Sequence, residues 1–344
     1  VRLSIERRVL RLSSPLLSSY GTVSERELVA VAITDTDGVT GYGEAAPLEA
    51  YDGVSIERVE NALELYRTVL ESAAPDMNGA RLIDACRRVE DLPQALAAID
   101  LALWDRAGRR VGRPVAALLT DDPAPAVEVN ATLTALDRAG VSEQASSAVL
   151  EGFTCIKVKV GVGDDAGRVA AARAATGPEV SLRLDANGAW SVEEAVRAID
   201  TLAPAGLELV EEPTHGLKDV REVRERVSTR VAIDETAAEH GALGAGVADA
   251  VCLKISRCGG ISGLIAAAAL VRASGAEVYL ASTLDGPLGV AAAVHAAAAL
   301  ASRGPVPHCG LATLDLFEGI ENPLPVRRGK IAVPLDGGLG VEPL

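Results

Sequence analysis

The chain has 344 residues, 49% of them hydrophobic, and a formal charge of −15 at pH 7. That acidity argues against nucleic acid as a partner, because a phosphate backbone demands a basic face. The alanine-rich runs at 263–271 and 290–300 read as buried amphipathic helices, too short for the roughly 20 apolar residues of a membrane span. Five cysteines without a C-x-x-C spacing fit mostly buried thiols in a reducing compartment, and Arg2, Glu6, Arg7 and Arg8 interrupt any signal-like start, so a cytoplasmic protein with no membrane partner is expected.

In chain order, residues 28–34 alternate like a strand, 36–38 carry a turn signal and 39–45 return as a second strand. Residues 55–71 and 92–107 then show apolar positions at helical spacing. The proline-rich acidic stretch 121–126 reads as a linker. Beyond it, short apolar strands alternate with alanine-rich helices: 127–133, 155–160, 181–185, 207–211, 230–234, 250–255, 278–282 and 308–313. About eight such alternations mean a closed parallel barrel. The tail from Asp315, rich in proline and glycine, is expected to fold back onto the N-terminal part. The expected organisation is therefore α/β: an α+β domain over 1–120, completed by 315–344, and a barrel over 121–314.

Charged residues fall where the barrel strands end, the face on which such barrels place their chemistry. Lys157 and Lys159 share one strand and one side of it. Asp185, Glu211, Asp234 and Lys254 each close a later strand, at separations from Lys159 onward of 26, 26, 23 and 20 residues. Each step is about one βα unit, so neighbouring strands deliver one charged group each to a common mouth. Only five of the 33 basic residues are lysine. Chance and exposure account for Lys218 and Lys330, but not for Lys157 and Lys159, which alternate with Ile156, Val158 and Val160 in an apolar strand. Unlike arginine, lysine can be tuned to lose its proton near neutral pH.

Three carboxylates without histidine or cysteine make an all-oxygen site for a hard cation, Mg²⁺ first and Mn²⁺ as a substitute. Strand-end acids paired with arginines are the plainer alternative for any one of them alone. The lysines, on strands flanking the three acids, are expected to face each other across a bound substrate, with a neighbouring metal and a second amine pulling their pKa down toward a useful base. The metal would offset the charge that forms when a proton leaves carbon beside a carboxylate, the arrangement general to enolase-type sites.

Taken together, Lys157-Val158-Lys159, Asp185-Ala186-Asn187, Glu211-Glu212-Pro213, Asp234-Glu235 and Lys254 through Gly259-Gly260 resemble the enolase superfamily, muconate-lactonizing subgroup. Gly41-Tyr42-Gly43-Glu44 through Pro47 and Ala98 through Trp104-Asp105 extend the resemblance over nearly the whole chain. It implies a modified TIM barrel, (β/α)7β, under an N-terminal α+β capping domain whose loop around 14–23 closes over the substrate. It also implies one Mg²⁺ on Asp185, Glu211 and Asp234, with Asn187 and Glu235 supporting the ligands from behind. Glu212 stands where a glutamine is common and is not taken as a ligand.

The subgroup shares one site among several chemistries. Residues 129–132 and 308–314 look most like o-succinylbenzoate synthases of menaquinone synthesis. In that reading Lys159 removes the proton alpha to the carboxylate of a small-molecule substrate and then assists loss of water. Lys254 stabilises the ene-diolate as a cation opposite, and Lys157 completes the trio. The loop Ser282-Thr283-Leu284-Asp285 instead resembles a muconate cycloisomerase; Ser282, Thr283 and Asp285 are its candidate substrate contacts, although Asp285 could equally cap the helix starting near Pro287. Rival readings are therefore a cycloisomerase, a racemase or epimerase of amino-acid derivatives, and a non-catalytic binding barrel. The Asp-x-Asp pair with which dipeptide epimerases hold an amine is absent near the chain's end, with Asp315 the sole nearby candidate. His295, Trp104 and Trp190 read as packing residues. Oligomeric state is open, although barrels of this kind often associate into homo-oligomers.

Overall fold

The computed structural model describes residues 1–18, 21–74 and 77–344. An antiparallel sheet opens the chain: β1 (Arg2–Ser18), β2 (Gly21–Thr34) and β3 (Thr40–Ala45), with β2 in the middle. The strand–turn–strand expected over 28–45 is its β2–β3 hairpin, turned where the Gly38 N–H donates to Asp35 O at 2.9 Å. The segment expected to close over the substrate lies partly outside the described residues, at Ser19 and Tyr20. Its described parts pair as strand, Leu16 opposite Val23.

Behind the sheet stand α1 (Glu49–Asp52), α2 (Ile56–Glu71), α3 (Gly79–Val89), α4 (Pro93–Val111) and α5 (Val115–Leu119). Ser55 caps α2 by accepting from the Arg58 N–H, which is why that helix starts where its polar–apolar pattern does. α3 is not among the helices expected from sequence. It is only 11 residues long and buries just Leu82, Ile83 and Cys86, too few apolar positions to mark a helix against its charged neighbours. The β3 strand lies directly on α4. A Cβ on Gly41 would come within 2.1 Å of the Ala102 carbonyl oxygen, and one on Gly43 equally close to that of Ala98. The two glycines thus allow strand and helix backbones to touch.

The barrel strands follow as β4 (Ala126–Glu128), β5 (Ala131–Leu133), β6 (Cys155–Lys159), β7 (Ser181–Asp185), β8 (Leu207–Glu211), β9 (Val231–Ile233), β10 (Ala250–Leu253) and β11 (Glu277–Leu280). Between and after them run α6 (Arg138–Leu150), α7 (Asp165–Thr176), α8 (Val192–Leu202), α9 (Leu217–Arg226), α10 (Ile261–Ala273) and α11 (Pro287–Ala301). β5 to β11 form one parallel sheet in sequence order. Two expectations need correction here. Residues 127–133 are not one strand: β4 pairs antiparallel with β13 (Lys330–Ala332), itself paired with β12 (Val326–Arg327), while only β5 joins the barrel. Residues 308–313 form no full strand either. Cys309 bridges Val129 and Gly310 bridges Ala281, so two single pairings join the sheet's edges at the eighth position. The fold is thus α/β, a modified TIM barrel with an N-terminal α+β cap.

A third correction concerns α11. The 290–300 run is buried as expected, but it is not amphipathic, since every residue from Pro287 to Leu300 is buried. His295 survives there because both ring nitrogens are used, Nδ1 accepting from the Ala116 N–H and Nε2 bonded to Leu339 O, each at 3.1 Å. Burial pushes its pKa down to about 4. No helix among the described residues is long and apolar enough to cross a membrane.

Cap, barrel and tail are stitched by buried acids. Asp105 accepts from the backbone N–H groups of Tyr42 and Leu339, joining β3 to the tail. Asp100 accepts from Ser262 N at the start of α10. Glu44 accepts from Leu288 N in the first turn of α11. The tail also meets the long hairpin, where Glu318 N donates to Arg11 O.

Candidate active site

Strand order decides which charges meet. β6, β7, β8, β9 and β10 are consecutive neighbours, so the lysine strands flank the three carboxylate strands. Lys159 sits opposite Asp185, and Asp185 opposite Glu211, in the pairing register. All three acids are buried: Asp185 and Glu211 are 1% exposed and Asp234 3%. Lys157 Nζ donates to Asp185 Oδ2 at 2.8 Å and Glu211 Oε1 at 3.2 Å. Lys159 Nζ donates to the same Asp185 oxygen at 3.2 Å and to Asn187 Oδ1 at 2.6 Å. From the other flank, Lys254 Nζ lies 2.7 Å from Asp234 Oδ2.

Around this row the backbone is strained. Of the four non-glycine residues with positive φ among those described, Asn187 (44°), Glu212 (41°) and Leu284 (60°) all lie just beyond barrel strands. Such conformations persist only where surrounding structure over-determines them. Asn187 is braced at both ends of its amide, receiving Lys159 at Oδ1 and donating to Glu235 Oε1 at 3.0 Å. Glu212 is a hub: its carboxylate accepts from Asp234 N, Thr236 N and Thr236 Oγ1, which holds the Asp234 turn in place and commits both oxygens to that turn.

The protein's own charges act on Lys157 and Lys254 in the opposite sense to that expected. Burial disfavours the ammonium of Lys157, but Asp185 and Glu211 outweigh it and hold the pKa above the ordinary lysine range. Asp234 does the same for Lys254. At Asp185 burial opposes ionisation, yet Lys157 and Lys159 win and hold its carboxyl low. Glu211 goes the other way, pushed up by burial and by the neighbouring Asp185 and Asp234. Three adjacent buried carboxylates demand positive charge, and a hard divalent cation fits an oxygen donor set of this kind.

One detail differs from the expected ligand trio. The carboxylate and thiol atoms lying within 4.8 Å of one another belong to Glu211, Asp234 and Cys252, while Asp185 is drawn toward the two lysines. Burial keeps the Cys252 thiol protonated, and a thiol is a poor donor to Mg²⁺. Asp185 remains the better third oxygen.

Sequence reasoning missed three participants. Tyr279, on β11, donates from its hydroxyl to Glu211 Oε2 at 2.8 Å. Tyr51, from α1 of the cap, donates to Asp234 Oδ1 at 2.8 Å and receives Arg257 Nη1 at 2.5 Å. The Lys254 ammonium stands 5.2 Å from the centre of the Tyr51 ring. Arg257 lies within a quoted motif and was open to notice. Nothing in the sequence brings Tyr51 across from another domain.

The cavity above the cluster has a volume of about 170 Å³, and Ser282 and Thr283 line it. Asp285 does not. It is 1% exposed, with its carboxylate turned to the Thr283 N–H and Oγ1. This corrects its assignment as a substrate contact. Nor does it cap the following helix, since Glu44 supplies the carboxylate there. Asp315 is likewise outside the cavity, bonded to Asn322.

Comparisons with known proteins agree with this geometry. Residues 2–120 match the family model "Mandelate racemase / muconate lactonizing enzyme, N-terminal domain" and 140–344 match "Enolase C-terminal domain-like". The L-Ala-D/L-Glu epimerase of Bacillus subtilis (strain 168) is 31% identical over 87% of this chain and 84% of its own length. A substrate-liganded structure of the Bacillus subtilis epimerase aligns with a TM-score of 0.89 at 28% identity, covering 99% and 98% of the two chains. Muconate cycloisomerase 1 of Rhodococcus opacus is 30% identical over 98% and 95%. The o-succinylbenzoate synthase of Thermobifida fusca reaches 39% identity, over 60% of this chain and 69% of its own.

Proposed function

The chain belongs to the enolase superfamily, in the mandelate racemase/muconate lactonizing enzyme family, and from that premise we propose that it is an isomerase moving a proton at the carbon alpha to a substrate carboxylate. Family membership makes it an enzyme of the lyase or isomerase kind. One observation carries the finer reading: amines approach a single row of carboxylates from two sides, Lys157 and Lys159 from one and Lys254 from the other.

Asp185, Glu211 and Asp234 are the residues that would hold a divalent cation, as superfamily members hold Mg²⁺. Bound there, Mg²⁺ supplies charge to offset the negative charge of the deprotonated substrate. Lys159, steadied by Asn187, takes the alpha proton. Lys254, placed by Asp234 and the Tyr51 ring, either returns a proton on the opposite side or stabilises the ene-diolate as a cation. Lys157 stays charged between Asp185 and Glu211 and offsets part of their negative charge. Ser282 offers its hydroxyl to the substrate's uncharged polar atoms, while the Thr283 hydroxyl is given to Asp285 and shapes the wall.

Isomerisation comes before dehydration because the relatives matched along most of both chains are an epimerase and a cycloisomerase. This reverses the order expected from the C-terminal motif. Dehydration to o-succinylbenzoate stays as a second reading for a specific reason: Ala312 and Thr313 line the cavity where an amine-binding acid would be needed, and the synthase relative is 39% identical where it matches. Assays in deuterated water with Mg²⁺ separate the two. An isomerase incorporates deuterium at the alpha carbon without losing water. A dehydratase forms an aromatic product with a new ultraviolet band, and that outcome overturns the first reading.

A further inference from the structure

The distribution of charge over the cavity wall says what the substrate looks like away from its reacting end. Among the described residues, the charged side chains that line the cavity are Lys157, Lys159, Asp185, Asp234 and Lys254. All five belong to the lysine–carboxylate cluster. The rest of the polar wall is hydroxyl, from Tyr51, Thr132, Thr134, Ser282, Thr283 and Thr313, apart from the Asn187 amide. Its oxygen and nitrogen are already engaged by Lys159 and Glu235.

The remaining wall is aliphatic and comes partly from outside the barrel. Leu16 and Val23 face the cavity from the long hairpin, Leu48 from the cap and Leu316 from the tail, with Ala281, Leu284, Gly310 and Ala312 from the barrel. Ser19 and Tyr20 lie outside the described residues; neither side chain is charged at neutral pH. Three charges near the cavity but outside its wall are committed elsewhere. Asp285 is bonded within its own loop, Arg26 gives its guanidinium to the Pro47 and Ala46 carbonyls, and Arg257 gives its own to the Tyr51 hydroxyl and the Asp234 and Glu235 carbonyls.

Resting on the proton-transfer reading above, we propose that this site holds its substrate by one charged end only, a carboxylate at the cluster, with an uncharged and largely apolar body against the rest of the wall. A second charge on that body would lose hydration against leucine and valine without gaining a counter-ion. Free-amine dipeptides and acids that need a distal carboxylate clamped therefore fit this cavity poorly.

Calorimetric titration of the Mg²⁺-loaded chain with three matched probes tests this. The probes are 3-phenylpropanoate and its para-aminomethyl and para-carboxy derivatives, which differ only in distal charge. The uncharged acid is expected to bind at least about tenfold more tightly than either charged one. Equal or tighter binding of a charged probe overturns the inference while leaving the proton-transfer reading intact. Loss of the Mg²⁺ requirement for all three, or no binding at all, instead overturns the reading of the cluster as a carboxylate site. A Leu316→Arg variant adds a gain-of-function arm, with the para-carboxy probe now gaining about tenfold. The wild-type comparison stands whether or not that variant folds.

Discussion

Glu212 shows how a residue beside a candidate ligand can matter as much as the ligand. Its carboxylate is wholly buried and satisfies three donors of the Asp234 turn. Glu212→Ala would strand those donors in a dry site, so a loss of about 2–4 kcal/mol in urea denaturation is expected. Glu212→Gln, which keeps one acceptor oxygen, should lose clearly less. The charged residues at strand ends were legible because each interrupts an apolar strand at a βα-unit spacing. Tyr51 and Tyr279 were not, since a tyrosine in an apolar stretch reads as core until the fold shows its hydroxyl on a carboxylate. Asp285 misled for the converse reason: an acid in an active-site loop looks like a contact until its oxygens are found bonded within that loop.

Among the elements, the tightest joint is β3 on α4. Gly43→Ala would force a Cβ to within 2.1 Å of a carbonyl oxygen in the helix backbone, where no flexible group can give way. Expression as folded protein should fall sharply, and any folded fraction should melt well below wild type. The same change at Gly53, which has no neighbour within 4 Å but a φ of 70°, should cost only the strain of its turn, about 1 kcal/mol. Element legibility followed length and the number of apolar positions. α2 and α4 are long and bury many residues and were expected, whereas α3 is 11 residues long, buries three and was not. The splitting of 127–133 and the reduction of 308–313 to two bridges depend on long-range partners, Lys330–Ala332 and the two sheet edges. No local pattern encodes those partners.

At the scale of the whole molecule, the cap and barrel meet over buried ionisable groups, which makes their union sensitive to pH. Glu44 is pushed up to about 8, by burial first and by Asp285 second. Its folded pKa lies above its unfolded value, so the folded state binds more protons over that interval. Stability contributed at this joint is therefore greatest at the acidic end of the interval and declines as pH rises from about 4.5 toward about 8. Glu44→Gln should flatten that decline, read as a smaller loss of urea midpoint between pH 6 and pH 9 than wild type shows. An equal decline in both proteins would place the pH sensitivity elsewhere.

The site is likewise a property of the whole molecule, since Leu16, Val23, Leu48 and Tyr51 reach it from outside the barrel. At its centre stands the claim that Lys159 moves a proton at a carbon beside a carboxylate. The most direct test is alpha-proton exchange in deuterated water by a Lys159→Ala variant, run beside a titration of Mg²⁺ binding. Exchange should fall by at least ~100-fold, with Mg²⁺ affinity near that of wild type. Exchange persisting at the wild-type rate in a variant that still binds Mg²⁺ would contradict the account.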